Sequence, residues 1–271
     1  MFNSYSMTQM VASICNAMGV EPPKQADKSI PLVDEFVKSR MGEEKVDRVL
    51  IYNPDCIGHW HLQKYTDLFI PVLVNTELTV PLSTVSPAWT PICFGSMYTG
   101  VPPLVHGILK YEKPIIKVDS FFDALPRSGK KVANVAVDHS SMAMIFLERP
   151  VDYYIMPYDN EVVEKTLDLI KEDKYDAIVS YNQEYDDMIH RTTPESEQSL
   201  DAIRHHVSAF VRLVEAVREN WKDHNTLVVF APDHGNHYDC FGHGNHGEYR
   251  DEDVNINHFY TIIPCLGLKK K

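Results

Sequence analysis

Four short apolar runs constrain this chain more than any other feature: 49–53 (VLIYN), 131–138 (KVANVAVD), 177–181 (AIVSY) and 226–231 (TLVVFA). Each has strand length, is rich in β-branched residues and lacks a regular polar side, the pattern of a strand covered on both faces in a largely parallel sheet. Helical spacing fills the intervals. Residues 121–130 (FFDALPRSGK) precede the second run, and Val162, Val163, Leu167, Leu169 and Ile170 recur at mainly helical intervals before the third. Before the fourth, Leu200, Ile203, Val207, Phe210, Val211, Val214, Val217 and Trp221 repeat at three and four, a long packing helix expected to open at Thr193-Pro194. This alternation predicts an α/β fold. Upstream, Met7, Met10, Val11, Ile14 and Met18 make a helix stopped by Gly19, and a second helix is expected over 30–41. Residues 1–47 are therefore expected to form a helical extension packed on a single domain spanning 1–271.

Three of the runs end on residues of the types that ligate metals. Asp55 follows the first, where a turn-forming Asp after Pro54 is the equal alternative. Asp186 and His190 follow the third, four residues apart and so on one face of a helical turn. Asp233 and His234 follow the fourth and open the segment 231–247 (APDHGNHYDCFGHGNHG), which also holds His237, Asp239, Cys240, His243 and His246. Carboxylate with neutral imidazole suits zinc or manganese, and the glycines allow the tight turns that would aim side chains at one point. A parallel sheet gathers all these strand ends along one edge, where open α/β sheets place their sites.

The segment 86–108 (SPAWTPICFGSMYTGVPPLVHGI) adds a hydroxyl. Thr90 before Pro91 has the pattern of a helix N-cap and first helical residue, and Gly100 ends that helix. Two roles stand open for Thr90: a cap alone, or a hydroxyl presented to an anion at a positive helix end.

Composition narrows the partners. A net charge of −12 disfavours a nucleic-acid polymer and leaves room for a small anionic substrate at a local metal centre. Five scattered cysteines speak against a disulfide framework. The first residues lack the basic start and apolar run of a signal peptide, and no stretch approaches the roughly 20 apolar residues of a membrane helix. The expectation is a cytoplasmic protein without a membrane partner. Oligomeric state is not legible.

Taken together these residues resemble the alkaline phosphatase superfamily, within it the nucleotide pyrophosphatase/phosphodiesterase and phosphonoacetate hydrolase branch. The blocks stand in that family's order from Val49 onward: Asp55 after the first strand, Thr90 ahead of a TGxxPxxHGI run ending at Ile108, Asp186-x-x-x-His190, and Asp233-His234-Gly235 followed by a His-Gly. The resemblance implies a three-layer sandwich around a central, mostly parallel sheet. It implies two zinc ions, with manganese as the alternative: one held by Asp186, His190 and His246, the other by Asp55, Asp233, His234 and the Thr90 oxygen. His243 has the same His-Gly context as His246 and remains open as the last ligand. The implied activity is a hydrolase of phosphodiester, pyrophosphate or related phospho-ester bonds in a small substrate, with Thr90 as nucleophile and a phosphothreonine intermediate. Cys93 takes the place where related diesterases carry an asparagine and is the candidate substrate contact. The absence of a CxPxR context around Thr90 speaks against a sulfatase. A phosphomonoesterase or phosphomutase of the same superfamily, or a metal-binding protein without turnover, are the competing classes.

Overall fold

A computed structural model describes residues 2–267; the run of lysines at 269–271, read from the sequence as a solvated end, lies outside the described residues. Its strands are β1 (Tyr5–Ser6), β2 (Arg48–Pro54), β3 (Leu78–Ser83), β4 (Val132–Val137), β5 (Asp152–Met156), β6 (Ala177–Asn182), β7 (Thr226–Phe230), β8 (His237–Tyr238), β9 (Gly244–Asn245) and β10 (Asn255–Ile263). Eight of them form one sheet in the order β1-β3-β10-β7-β2-β6-β4-β5, and β8 with β9 make a separate two-stranded ribbon. Within the large sheet β10 alone runs antiparallel to its neighbours, β3 and β7; every other pairing is parallel. The C-terminal ends of β3, β7, β2, β6 and β4 consequently share one edge.

The apolar runs are continuous because both faces of the sheet are covered. Val49 and Ile51 of β2, Ala177 and Val179 of β6, and Leu227 and Val229 of β7 pack on one side with the helices Met10–Met18, Thr90–Thr99 and Phe121–Arg127. Leu50 and Tyr52, Ile178, Val228 and Phe230 face the other side, against Thr66–Leu73, Asp159–Glu172 and Glu197–Asn220. The period-2 alternation along each strand thus divides its side chains between two cores. The result is the expected three-layer α/β sandwich, alkaline-phosphatase-like in form.

One expected boundary shifts, and one strand was not expected. The long helix opens at Glu197 instead of Thr193-Pro194, because Ser196 supplies the cap, its hydroxyl accepting from the Ser199 backbone at 3.1 Å. The Thr193 carbonyl is drawn into a turn that receives the Ser196 N–H and the Ser199 hydroxyl. At the other end of the chain, Tyr5 and Ser6 pair with Leu82 and Ser83 as an edge strand, which a two-residue stretch cannot announce by periodicity. The Met10–Met18 helix follows the pattern seen in the sequence, with Gly19 left-handed at φ 67° as its stop. No helix among the described residues is long and apolar enough to cross a membrane.

The aromatic centre of the second core lends itself to a direct test. Phe210 is fully buried, with its ring 5.2 Å from that of Phe230 and 6.3 Å from that of Tyr52. Phe210→Ala is expected to cost about 3–5 kcal/mol in urea unfolding; a loss below about 1 kcal/mol would mean that this helix does not seat on the sheet as described.

Candidate metal centre and active site

At the shared strand edge, the backbone first sets where each side chain starts. The Asp55 N–H donates to the Asn182 carbonyl at 2.9 Å, extending the β2–β6 ladder by one residue, and Cys56 then turns the chain with a left-handed φ of 70°. Its N–H donates to Asp233 Oδ1 at 3.2 Å, tying the loop after β2 to the loop after β7. The other Asp55 oxygen, Oδ2, accepts from the Tyr181 hydroxyl. Beyond β6 the helix Glu184–Arg191 begins on a buried carboxylate, Asp159, which accepts from the Gln183 and Glu184 backbones at 2.9 Å each. That start places Asp186 and His190 on one face, Oδ1 to Nε2 at 3.5 Å.

Two histidines are oriented the same way. His234 has Nδ1 3.0 Å from the Gly235 carbonyl oxygen, and His246 has Nδ1 2.9 Å from that of Ala88. A carbonyl only accepts, so each Nδ1 carries the proton and each Nε2 presents a lone pair. Burial pushes both imidazoles below their ordinary range, His246 to about 4, so both are neutral at pH 7. Around His234 Nε2 lie Thr90 Oγ1 at 3.2 Å, Asp55 Oδ1 at 3.3 Å and Asp233 Oδ2 at 3.5 Å. Around His246 Nε2 lie His190 Nε2 at 3.2 Å and Asp186 Oδ1 at 3.3 Å. The two rings stack at 4.2 Å, so the groups adjoin.

The Thr90 hydroxyl can donate to His234 Nε2, but the carboxylate contacts set lone pair against lone pair. Asp55 Oδ1, Asp186 Oδ1 and Asp233 Oδ2 are buried oxygens without a hydrogen-bond partner, a costly condition unless a cation completes it. Burial, with the neighbouring carboxylates, pushes Asp55 well above the usual carboxylate range; burial is the largest cause of the rise of Asp233 to about 7. Burial also acts on Asp186, but the surrounding imidazoles His246, His190 and His234 outweigh it and hold that carboxyl low. Asp186 with His234 and His246, and Asp55 with Asp233 and His234, each bring their donor atoms within 4.8 Å of one another. Oxygen and imidazole donors so gathered fit divalent zinc or manganese. His234 borders both groups, whereas the motifs had assigned it to one.

Of the sequence candidates, Asp55, Thr90, Asp186, His190, Asp233, His234 and His246 converge. His243 does not: it sits in the exposed turn between β8 and β9, 3.9 Å from Asp239. The ribbon explains the difference, since pairing His237 with Asn245 sends the turn outward and returns the chain inward at His246. His237 pairs with Asp253 at 2.6 Å, and Cys240 is exposed, so the histidine-rich segment is only partly a ligand cluster. Cys93 is fully buried in the core with its sulfur accepting from Thr84 at 3.1 Å, and does not reach the cleft beside the cluster. Thr90 is not the cap it resembles. Trp89 occupies that position, its carbonyl accepting from Ile92 and Cys93, and Thr90 opens the helix with its hydroxyl uncommitted to capping. Sequence patterning gave no sign of Tyr181 or Asp159, which act through contacts made only on folding.

A cleft of about 270 Å³ opens over the cluster, lined on the cluster side by Asp55, Thr90 and Asp186 and opposite by residues including Tyr111, Lys113 and Ser140. Backbone approach beneath it is close: a Cβ at Gly235 would lie 2.0 Å from the Glu252 carbonyl oxygen, and one at Gly247, whose φ is 104°, 2.0 Å from the Trp89 ring.

No family model matches the sequence, and no curated protein matches it. Solved structures do. Phosphonoacetate hydrolase from Sinorhizobium meliloti 1021, in complex with phosphonoacetate, superposes with a TM-score of 0.54 at 15% identity over 72% of this chain and 59% of that one. An inactive threonine-to-alanine form of murine ectonucleotide pyrophosphatase/phosphodiesterase 5, in complex with AMP, gives 0.52 at 18% identity over 70% and 57%. The C-terminal periplasmic domain of phosphoethanolamine transferase EptC from Campylobacter jejuni gives 0.58 at 12% identity over 80% of each chain. All three are alkaline phosphatase superfamily structures, and the resemblance drawn from the motifs holds at the level of the fold. The chain spans about three-fifths of the length of the first two.

The buried carboxylates make a prediction about metal removal. Zinc added to chelator-stripped protein is expected to raise its melting temperature. Asp233→Asn, which removes one of the crowded charges, is expected to raise the melting temperature of the stripped protein while shrinking the zinc-induced gain. Differential scanning calorimetry with and without zinc checks both signs, and an unchanged zinc gain in the variant would remove Asp233 from the ligand set.

Proposed function

We propose that the chain is a two-zinc phosphoric ester hydrolase that cleaves a phosphodiester, pyrophosphate or related phospho-ester bond of a small substrate through a phosphothreonine at Thr90. The observation that carries this reading is the position of the Thr90 hydroxyl, 3.2 Å from the unprotonated Nε2 of His234, at the first residue of a helix and facing the cleft. A protein that only stored metal would have no use for an uncapped hydroxyl there.

Asp55, Asp233 and His234 would hold one ion beside the Thr90 oxygen, and Asp186, His190 and His246 the other. Bound there, the pair would supply the positive charge that eases loss of the hydroxyl proton and offsets the charge of the phosphoryl oxygens. The chain's own groups prepare the rest. The peptide dipoles of Thr90–Thr99 point their positive end at the reacting phosphorus, and the Gly235 and Ala88 carbonyls hold both imidazoles in one tautomer. Tyr181 and the Cys56 N–H each occupy one oxygen of Asp55 and Asp233, leaving the other oxygen of each aimed inward. In the first step a Thr90 O–P bond forms as the bond to the leaving oxygen breaks, and the departing alcohol takes up a proton. In the second, water attacks phosphorus, the Thr90 O–P bond breaks, and the hydroxyl is restored. One water is consumed per bond cleaved. The small ligands named with two of the structural neighbours, phosphonoacetate and AMP, support a substrate of this class.

The test is turnover of bis-nitrophenyl phosphate by stripped protein reloaded with zinc. Thr90→Ala is expected to lower kcat by at least about a thousandfold while zinc, counted by equilibrium dialysis, stays bound. Full turnover in the variant would remove Thr90 as nucleophile; loss of zinc together with activity would make it chiefly a ligand.

A further inference from the structure

The helix Thr66–Leu73 is more apolar than its place on the surface requires. It packs on Glu197–Asn220, and residues 68–74 (LFIPVLV) are apolar without a break. A surface helix needs one apolar stripe, whereas a helix apolar all round is a buried one. Phe69 and Val72 are 1% and 0% exposed and fill the core. Ile70 and Val74, four residues apart and so on a common side, are 52% and 72% exposed. Beside this ridge lies a groove of about 440 Å³ between the two helices, where Leu68, Pro71, Val207 and Val211 supply the apolar lining. Asp67 shares the groove with Arg204 and Arg212, each of which has acids of its own: Glu197 at 2.9 Å and Asp201 at 2.5 Å for Arg204, Glu164 at 2.6 Å for Arg212.

A ridge and a groove side by side on one face fit a second copy of the same chain, because a two-fold axis places each ridge in the other copy's groove. The direction of the helices sets the register. The Arg218 guanidinium donates to the Asn75 side-chain oxygen at 2.7 Å just past the end of Thr66–Leu73, while Asp67 at its start shares the groove with Arg204, so the two helices run the same way. A two-fold beside Pro71 then sets the Thr66–Leu73 helices of the two copies antiparallel. Val74 of one copy comes over Leu68 of the other, and Asp67 of one copy comes towards Arg218 of the other. That guanidinium is held by a neutral amide oxygen, a weaker partner than a carboxylate. Two chains of net charge −12 repel each other, but at physiological ionic strength the repulsion is screened over about 8 Å, and at contact the burial of aliphatic side chains outweighs it.

We propose that this face is a homodimer interface, in which Ile70 and Val74 of each copy seat in the groove between Thr66–Leu73 and Glu197–Asn220 of the other. The pairing does not depend on the hydrolase reading above.

Sedimentation velocity tests it. At about 20 µM the chain is expected to sediment with the mass of two copies. Ile70→Ser with Val74→Ser is expected to raise the dissociation constant at least about a hundredfold. Both side chains are exposed in the single chain, so far-ultraviolet circular dichroism is expected to stay unchanged. Leu104→Ser, which alters an equally apolar side chain 83% exposed on another segment, is expected to leave the dimer intact. Asp67→Arg is expected to weaken association about tenfold, and Arg218→Asp in the same chain to restore it. A single-chain mass at about 100 µM, association that survives Ile70→Ser with Val74→Ser, association lost equally with Leu104→Ser, or a charge swap that restores nothing would each overturn the proposal.

Discussion

Everything at the carboxyl edge of this sheet answers to one electrostatic condition: buried oxygens and imidazole nitrogens are pressed together with too few hydrogen-bond donors among them. Asp55, Asp186 and Asp233 each keep one buried oxygen free of hydrogen bonds, and His234 and His246 turn their lone pairs toward them. Such an arrangement is repulsive by itself and becomes favourable around divalent charge. The protein places its ordinary stabilising contacts one step further out, where Tyr181, the Cys56 N–H and two backbone carbonyls hold the outer atoms of the same side chains.

That condition can be met only on a rigid support. β7, β2 and β6 lie side by side in the middle of the sheet, parallel and covered on both faces, so three loops leave from adjacent points with fixed spacing. Each loop is then anchored again within a few residues, by the Asp55–Asn182 backbone bond, by Asp159 under the Glu184–Arg191 helix, and by the Gly235 N–H on the Asp253 carbonyl. Gly235 and Gly58 let those backbones approach more closely than any side chain allows. Precision in the site is therefore a property of packing in the core.

The cleft above holds groups of both charges. Its lining brings the carboxylates of Asp55, Asp138, Asp186 and Asp187 together with the ammonium of Lys113, which donates to the His139 carbonyl oxygen.

By itself the sequence determined the layered α/β architecture, because strands buried on both faces must read as unbroken apolar runs and their helices must repeat at three and four. It also determined most of the converging side chains, since Asp55, Asp186, His190, Asp233 and His234 sit within a few residues of strand ends that a parallel sheet brings together. Tertiary structure decided what depends on contacts between distant segments. His246 faces inward and His243 outward because a four-residue ribbon sets the direction of the turn between them. Thr90 has a free hydroxyl because Trp89 takes the cap, and Cys93, adjacent in pattern, is drawn into the core beside Thr84. Asp159 and Lys113 carry no local pattern at all, and Tyr181 reads only as the last residue of a strand. Their roles come from partners 24 to 126 residues away in the chain, at separations over which periodicity says nothing and only the packed fold fixes who meets whom.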